Sequence, residues 1–299
     1  MGVHINKKKI QISELVDMKS IDAILEEVKY NFIQFYPVTA FYEIRNVYRD
    51  FNDLFDGKYP GYKKCNTDYH DKLHTMDTLL AISRLIDGYN IKNRRKLPLK
   101  KVRVALIATI FHDSGFIQTL NDSKGTGAKY TLEHIRRSIV FIREYFQKTG
   151  MNMQDFTAAR NMVSCTGVAT EIDEVEFTDD DERTLGRMLG TADLLGQMAS
   201  RKYLENLTLL YREFREGKVP GYESEFHLLQ RTLKFYEDIK RKIKKEFKSI
   251  DRYMQAHFKK RYHINEDLYK IAMQNHIDYL KDVLKRTSRN YRSMLRRKQ

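Results

Sequence analysis

Cysteine is almost absent from this 299-residue chain. Cys65 and Cys165 are the only two. They are too few and too isolated for a disulfide framework or a thiolate zinc site, and both read as reduced structural thiols. Proline occurs four times and glycine 14 times, so little interrupts regular structure; with 41% hydrophobic and 31% charged residues the composition suits a helical protein. No run of about 18 uncharged apolar residues exists, which excludes an ordinary membrane-spanning helix, and the first 20 residues are polar without the apolar centre of a signal peptide. The expectation is a soluble, cytoplasmic protein. Acid is the scarcer charge: 40 Asp and Glu face 54 Lys and Arg, a formal balance of +14. That excess favours anionic partners by raising their local concentration, and phosphorylated metabolites, nucleic acid and acidic lipid all fit. The basic runs Lys7 to Lys9, Arg94 to Lys96, Lys240 to Lys245 and Arg292 to Lys298 each read first as a solvated face.

Apolar residues keep helical spacing along most of the chain. Ser20 is placed to cap a helix carrying Ile24, Leu25, Val28 and Phe32, and Pro37 ends it and can open another through Leu54. Further helices are predicted from about Thr67 to Asp87, from Pro98 to the His112 region, and over Tyr130 to Lys148, Asp155 to Cys165, Asp179 to Met198 and Arg201 to Glu216. Past a joint at Pro220-Gly221, Phe226 to Ile250 read as one long basic helix, and Ile264 to Val283 as the last before a frayed basic tail. No tandem repeat or strand stands out. The expected fold is all-α, with N-terminal covering helices in 1–61, a core in 62–217 and a C-terminal helical extension in 218–299. Asn121 to Gly127 has loop chemistry, open to reading as a mobile lid or an ordinary connection, without the spacing of a P-loop.

One apolar run ends in charge. Val102, Val104, Ala105, Leu106, Ile107, Ile110 and Phe111 lead into His112-Asp113. A buried carboxylate beside a buried imidazole is costly unless something offsets its desolvation, and a divalent metal is a common partner of that kind. Upstream lies Tyr69-His70-Asp71-Lys72-Leu73-His74, and downstream Leu189-Gly190-Thr191-Ala192-Asp193-Leu194-Leu195. Together these segments resemble the HD metal-dependent phosphohydrolase superfamily. Its order is a His, a His-Asp pair at a helix end and a distant Asp, meeting at one metal, which implies His74, His112, Asp113 and Asp193 as ligands. Tyr69, His70 and His74 also resemble the start of the catalytic domain of cyclic-nucleotide phosphodiesterases, with Asp71 where that family has Asn. Leu132-Glu133-His134 with Ser138 resembles a helix of bacterial HD proteins, which implies His134 as a ligand of a second metal or of substrate phosphate.

The nitrogen and oxygen donors suit one or two divalent ions among Zn, Mn, Fe, Ni and Mg. Asp113 can bridge two such ions. His70 is placed, four residues before His74 and on the same predicted helix face, to protonate a departing alkoxide or bind phosphate. Asp77 is either an orienter of a ligand His or a solvated acid, and His227, His257, His263 and His276 default to packing or solvent. The expected activity is hydrolysis of a phosphodiester or phosphomonoester in a nucleotide-like, anionic small molecule by metal-activated water. Two alternatives stay open. One is a non-catalytic signalling or nucleic-acid-binding module on the same fold, motivated by the basic surface. The other is a di-iron oxygenase, which would need more His ligands than the single His134 between the pair and the last Asp.

Overall fold

The computed structural model describes residues 10–286 and 290–295; the basic run Lys7 to Lys9 and the end of Arg292 to Lys298 lie outside them. Among the described residues there are twelve α-helices and no strand. They are α1 (Ile21–Ile33), α2 (Phe41–Phe55), α3 (Lys72–Lys92), α4 (Leu99–Phe111), α5 (His134–Thr149), α6 (Met153–Ser164), α7 (Asp180–Ala199), α8 (Tyr203–Glu216), α9 (Glu225–Lys245), α10 (Tyr253–Tyr262), α11 (Leu268–Arg286) and α12 (Tyr291–Leu295). No helix is long and apolar enough to cross a membrane.

Helix α3 is the axle. It packs against α1, α4, α7 and α10, and so is buried around nearly its whole circumference, from Met76 through Leu79, Leu80, Ile82 and Leu85 to Ile86. Each such Leu or Ile contributes roughly 1.5–3 kcal/mol by leaving water. Gly88 makes the α10 contact possible: a Cβ there would sit 1.9 Å from the Tyr253 carbonyl oxygen. The same hydrophobic core takes in Ile24 and Phe51 from the N-terminal helices and Phe247, Phe258 and Leu280 from the C-terminal ones.

Helix starts are set by local acceptors. The Ser20 hydroxyl accepts the Ala23 N–H at 3.2 Å, as its position predicts. The α3 start differs from the expected Thr67. Asp71 caps it by accepting the His74 N–H at 2.9 Å, and the Thr67 hydroxyl donates to the His70 carbonyl at 2.7 Å to close the preceding turn. His70 therefore lies before the helix, and its relation to His74 is not that of two residues on one helix face. Helix α5 likewise begins at His134, because Gly127–Tyr130 form a separate 3-10 turn.

The long basic helix expected through Ile250 ends at Lys245. Lys248 and Ser249 take positive φ of 53° and 52°, and the chain turns into α10, a helix that the sequence spacing did not predict between Ile250 and Ile264. The basic tail is not frayed at 290–295: α12 folds back, burying Leu295, and Arg292 Nε donates to Glu225 at 2.7 Å. Nor is the run at Lys240 to Lys245 wholly solvated. Lys242 turns inward and donates to the carbonyls of Val168 and Thr170, at 3.1 and 2.6 Å.

Candidate metal centre

Three elements deliver the central side chains. His74 comes from the first turn of α3, His112 is the residue that ends α4, Asp113 follows it, and Asp193 projects from the middle of α7. His74 Nε2 lies 3.1 Å from Asp113 Oδ2 and 3.2 Å from Asp193 Oδ1, while His112 Nε2 lies 3.3 and 3.4 Å from the same two oxygens. His74, His112, Asp113 and Asp193 are all buried. Despite these short distances, His112 Nε2, Asp113 Oδ2 and Asp193 Oδ1 have no hydrogen-bond partner among the described residues.

Buried polar atoms left in that condition cost free energy, and donors around a common centre explain them. Ligands at about 2.0–2.2 Å from one ion sit about 3.0–3.5 Å from their neighbours in octahedral or tetrahedral arrangements. The observed spacings fit. His112 Nδ1 is 2.7 Å from the Thr109 carbonyl, so the proton sits on Nδ1 and the Nε2 lone pair faces the carboxylates. His74, His112 and Asp113 form a buried group able to hold a metal ion.

The electrostatics agree. Burial pulls the His74 and His112 pKa values down, but Asp113 and Asp193 more than offset it and both imidazoles end above their ordinary value. Burial likewise pushes the two carboxyls up, yet the imidazoles hold Asp113 and Asp193 well below the carboxylate range. The two carboxylates therefore favour positive charge at the point the imidazoles face. A divalent cation supplies positive charge at that point, and metal and protons compete for the same nitrogens.

Around this centre stand the remaining predicted residues. His134, at the start of α5, gives Nδ1 to the Thr131 carbonyl at 2.6 Å and turns Nε2 toward Asp113 Oδ1, 3.9 Å away. Burial lowers its pKa, which keeps that nitrogen free to accept. The approach depends on Gly115, whose Cβ would meet the His134 carbonyl oxygen at 1.9 Å, and on the Gly115 N–H donating to Ser138 Oγ at 2.8 Å. Phe116 stacks on His70 at 4.2 Å and on His134 at 4.6 Å, which makes one aromatic wall of three rings.

His70 is brought to the centre without the shared helix face: its ring lies 5.4 Å from that of His74. What holds it is Glu213 of α8, a residue the sequence did not single out. Glu213 is buried; its Oε2 lies 2.5 Å from His70 Nδ1, and its Oε1 accepts the Tyr69 N–H at 2.6 Å. Burial alone would raise its carboxyl, but the His70 charge and these hydrogen bonds hold it below the usual range. In Glu-Phe-Arg-Glu-Gly an acid of this kind looks like any solvated residue. Tyr69 donates its hydroxyl to Gln197, one turn beyond Asp193, at 2.6 Å.

Asp77 lines the same cleft as His74, where burial pushes its carboxyl up to about 7. His257 pairs with Asp87 at 2.7 Å and His276 with the Met198 carbonyl at 2.9 Å, both in the packed interior. The connection after Asp113 is stitched rather than loose: Gln118 donates to the Lys124 carbonyl at 3.1 Å, Asp122 accepts from Tyr130 at 2.5 Å, and Thr126 donates to Glu216 at 2.7 Å.

Fold and site together define an all-α protein with a buried imidazole and carboxylate cluster suited to a cation. The chain belongs to the Npun_R2479-like family, whose model matches residues 119–273. That match takes in His134, Asp193 and Glu213 and leaves His74, His112 and Asp113 outside it. No curated protein matches the chain.

Proposed function

We propose that the protein is a metal-dependent phosphohydrolase of the HD type, acting on a phosphodiester or phosphomonoester of a nucleotide-like small molecule. The observation that carries the reading is a set of four donor atoms in which each of two imidazole nitrogens lies 3.1–3.4 Å from both of two carboxylate oxygens, with three of the four buried and unpartnered among the described residues. His74, His112, Asp113 and Asp193 would hold the ion, and Asp113 with His134 would hold a second. Such an ion supplies a Lewis acid for a phosphoryl oxygen and makes water acidic enough to react near neutral pH.

The remaining work falls to the chain. His70, with Nδ1 fixed by Glu213, presents Nε2 as a proton donor to the departing oxygen, which is otherwise too basic to leave readily. Glu213 stabilises the protonated imidazole and sets its orientation, and Phe116 packs flat on the ring so that it cannot turn away. The excess of basic residues raises the local concentration of an anionic substrate.

The test is metal analysis of the purified protein followed by hydrolysis screening over cyclic and linear nucleotides with Mn, Mg, Fe, Zn and Ni. Stoichiometric divalent metal and turnover abolished by His112→Ala are expected. Metal-free protein that acquires neither metal nor activity would overturn the reading.

A further inference from the structure

A second charged feature has no part in the metal centre. Arg84, on α3, is the largest fully buried side chain among the described residues, only 1% exposed. Its guanidinium packs over the rings of Phe258 and Tyr269, and Nη1 donates to the Tyr269 hydroxyl at 3.1 Å. Nε and Nη2 are buried with no acceptor among the described residues. The acid that contributes most to its field, Glu27, is already bonded to Arg261 and Tyr262. A buried cation without a bonded counter-charge costs several kcal/mol, so the arrangement calls for an acceptor that the chain itself does not supply.

Arg84 lines a recess of about 30 Å³ together with Ser13, Asp77, Gly196, Arg201 and Tyr269. That is room for one water-sized atom. The recess shares Ser13, Met18, Asp77 and Arg201 with a cleft of about 600 Å³, whose walls add Lys19, Lys202 and Asn206 and which runs on to Tyr69 and His74 of the metal centre. Two of the cleft's acids are occupied: Asp17 accepts the Lys19 N–H and Asp71 caps α3. Asp68 and Asp77, the latter hydrogen-bonded to Ser200, add carboxylates to its walls that can accept from donor groups on a ligand.

We propose that the Arg84 end of this cleft is a second anion site, taking a small phosphate monoester whose body carries hydroxyl or amino groups. One phosphoryl oxygen enters the recess against Arg84 Nε and Nη2, and Arg201 at its mouth holds the rest of the phosphate. The recess end lies apart from the metal centre, which the cleft meets at His74: ten residues of α3 between His74 and Arg84 span about 15 Å, too far for one phosphate to reach both.

Isothermal titration of the full-length protein with inorganic phosphate, at constant ionic strength, tests it in wild type, Arg84→Met, Arg201→Ser and His112→Ala. Saturable binding is expected in wild type and His112→Ala, weakened at least tenfold in Arg84→Met and Arg201→Ser. Equal binding in both arginine variants would overturn the proposal, as would loss of binding in His112→Ala alone, which would put the phosphate at the metal centre, or no saturable binding at millimolar phosphate. Should Arg84→Met fail to fold, Arg201→Ser decides, since that side chain is exposed. Crystals soaked in phosphate should show oxyanion density against Arg84, and an ordinary water there would also overturn it.

Discussion

Replacing Asp193 with Asn separates a metal site from a merely structural ion-pair cluster. A divalent ion present at about 1,000 times its dissociation constant stabilises the native state by about 4 kcal/mol. Unfolding entropy near about 2.1 cal/mol/K per residue, over 299 residues, is on the order of 0.6 kcal/mol/K, so saturating metal should raise the melting temperature by about 6 °C. Asn keeps the size of Asp193 but removes one of the two carboxylates that face both imidazoles at 3.2 and 3.4 Å. If that weakens binding about 100-fold, the same ion concentration stabilises by only about 1.4 kcal/mol, and the shift shrinks to about 2 °C. Differential scanning calorimetry with and without Mn or Zn, on wild type and variant, measures the four values needed. A cluster that exists only to pair imidazolium with carboxylate predicts something else: Asp193→Asn lowers the melting temperature equally in both conditions, because an uncompensated buried charge is left either way. Equal metal-induced shifts in the two proteins would refute the assignment of Asp193 as a ligand.

Glu213→Gln should cut turnover roughly 100-fold while leaving metal content unchanged, because it removes the charge that stabilises protonated His70 and nothing that faces the ion; equal loss of both would make the pair structural. Gly115→Ala should destabilise by about 3 kcal/mol in urea denaturation and weaken any second-ion binding, since its Cβ would fall 1.9 Å from the His134 carbonyl oxygen. Asp267 supplies a pH dependence. Burial pushes its carboxyl from 3.8 up to about 6, so the folded state holds the proton more tightly than the unfolded chain. The stability this contributes is present below pH 4 and lost as pH rises through 6, amounting to roughly 3 kcal/mol at most. Asp267→Asn keeps an acceptor for the Tyr269 and Lys270 N–H groups that Asp267 caps, and should flatten the stability profile between pH 4 and 7; an unchanged slope would count against the burial argument.

What could be read in advance follows from where the information lies along the chain. His112-Asp113 stood out because charge terminates an apolar run, and Asp193 because Ala192 and Leu194 flank it; both patterns are local and both side chains are buried. The reversal after α9 was hidden, since Phe247 and Ile250 continue the apolar period and no Gly or Pro marks the positive-φ turn at Lys248 and Ser249. Lys242 looked like its neighbours in a basic run because nothing in that run identifies carbonyls 72 and 74 residues away as its acceptors. Glu213 is the extreme case. Its partner His70 is 143 residues distant, and only the packing of α8 beside the turn before α3 turns an ordinary helical acid into the group that fixes the His70 ring. Ligands that must be buried leave a trace in hydropathy. A residue whose role comes from a neighbour elsewhere in the chain leaves none, and the roles assigned here to Glu213 and Arg84 both depend on such neighbours, which is why they had to come from coordinates.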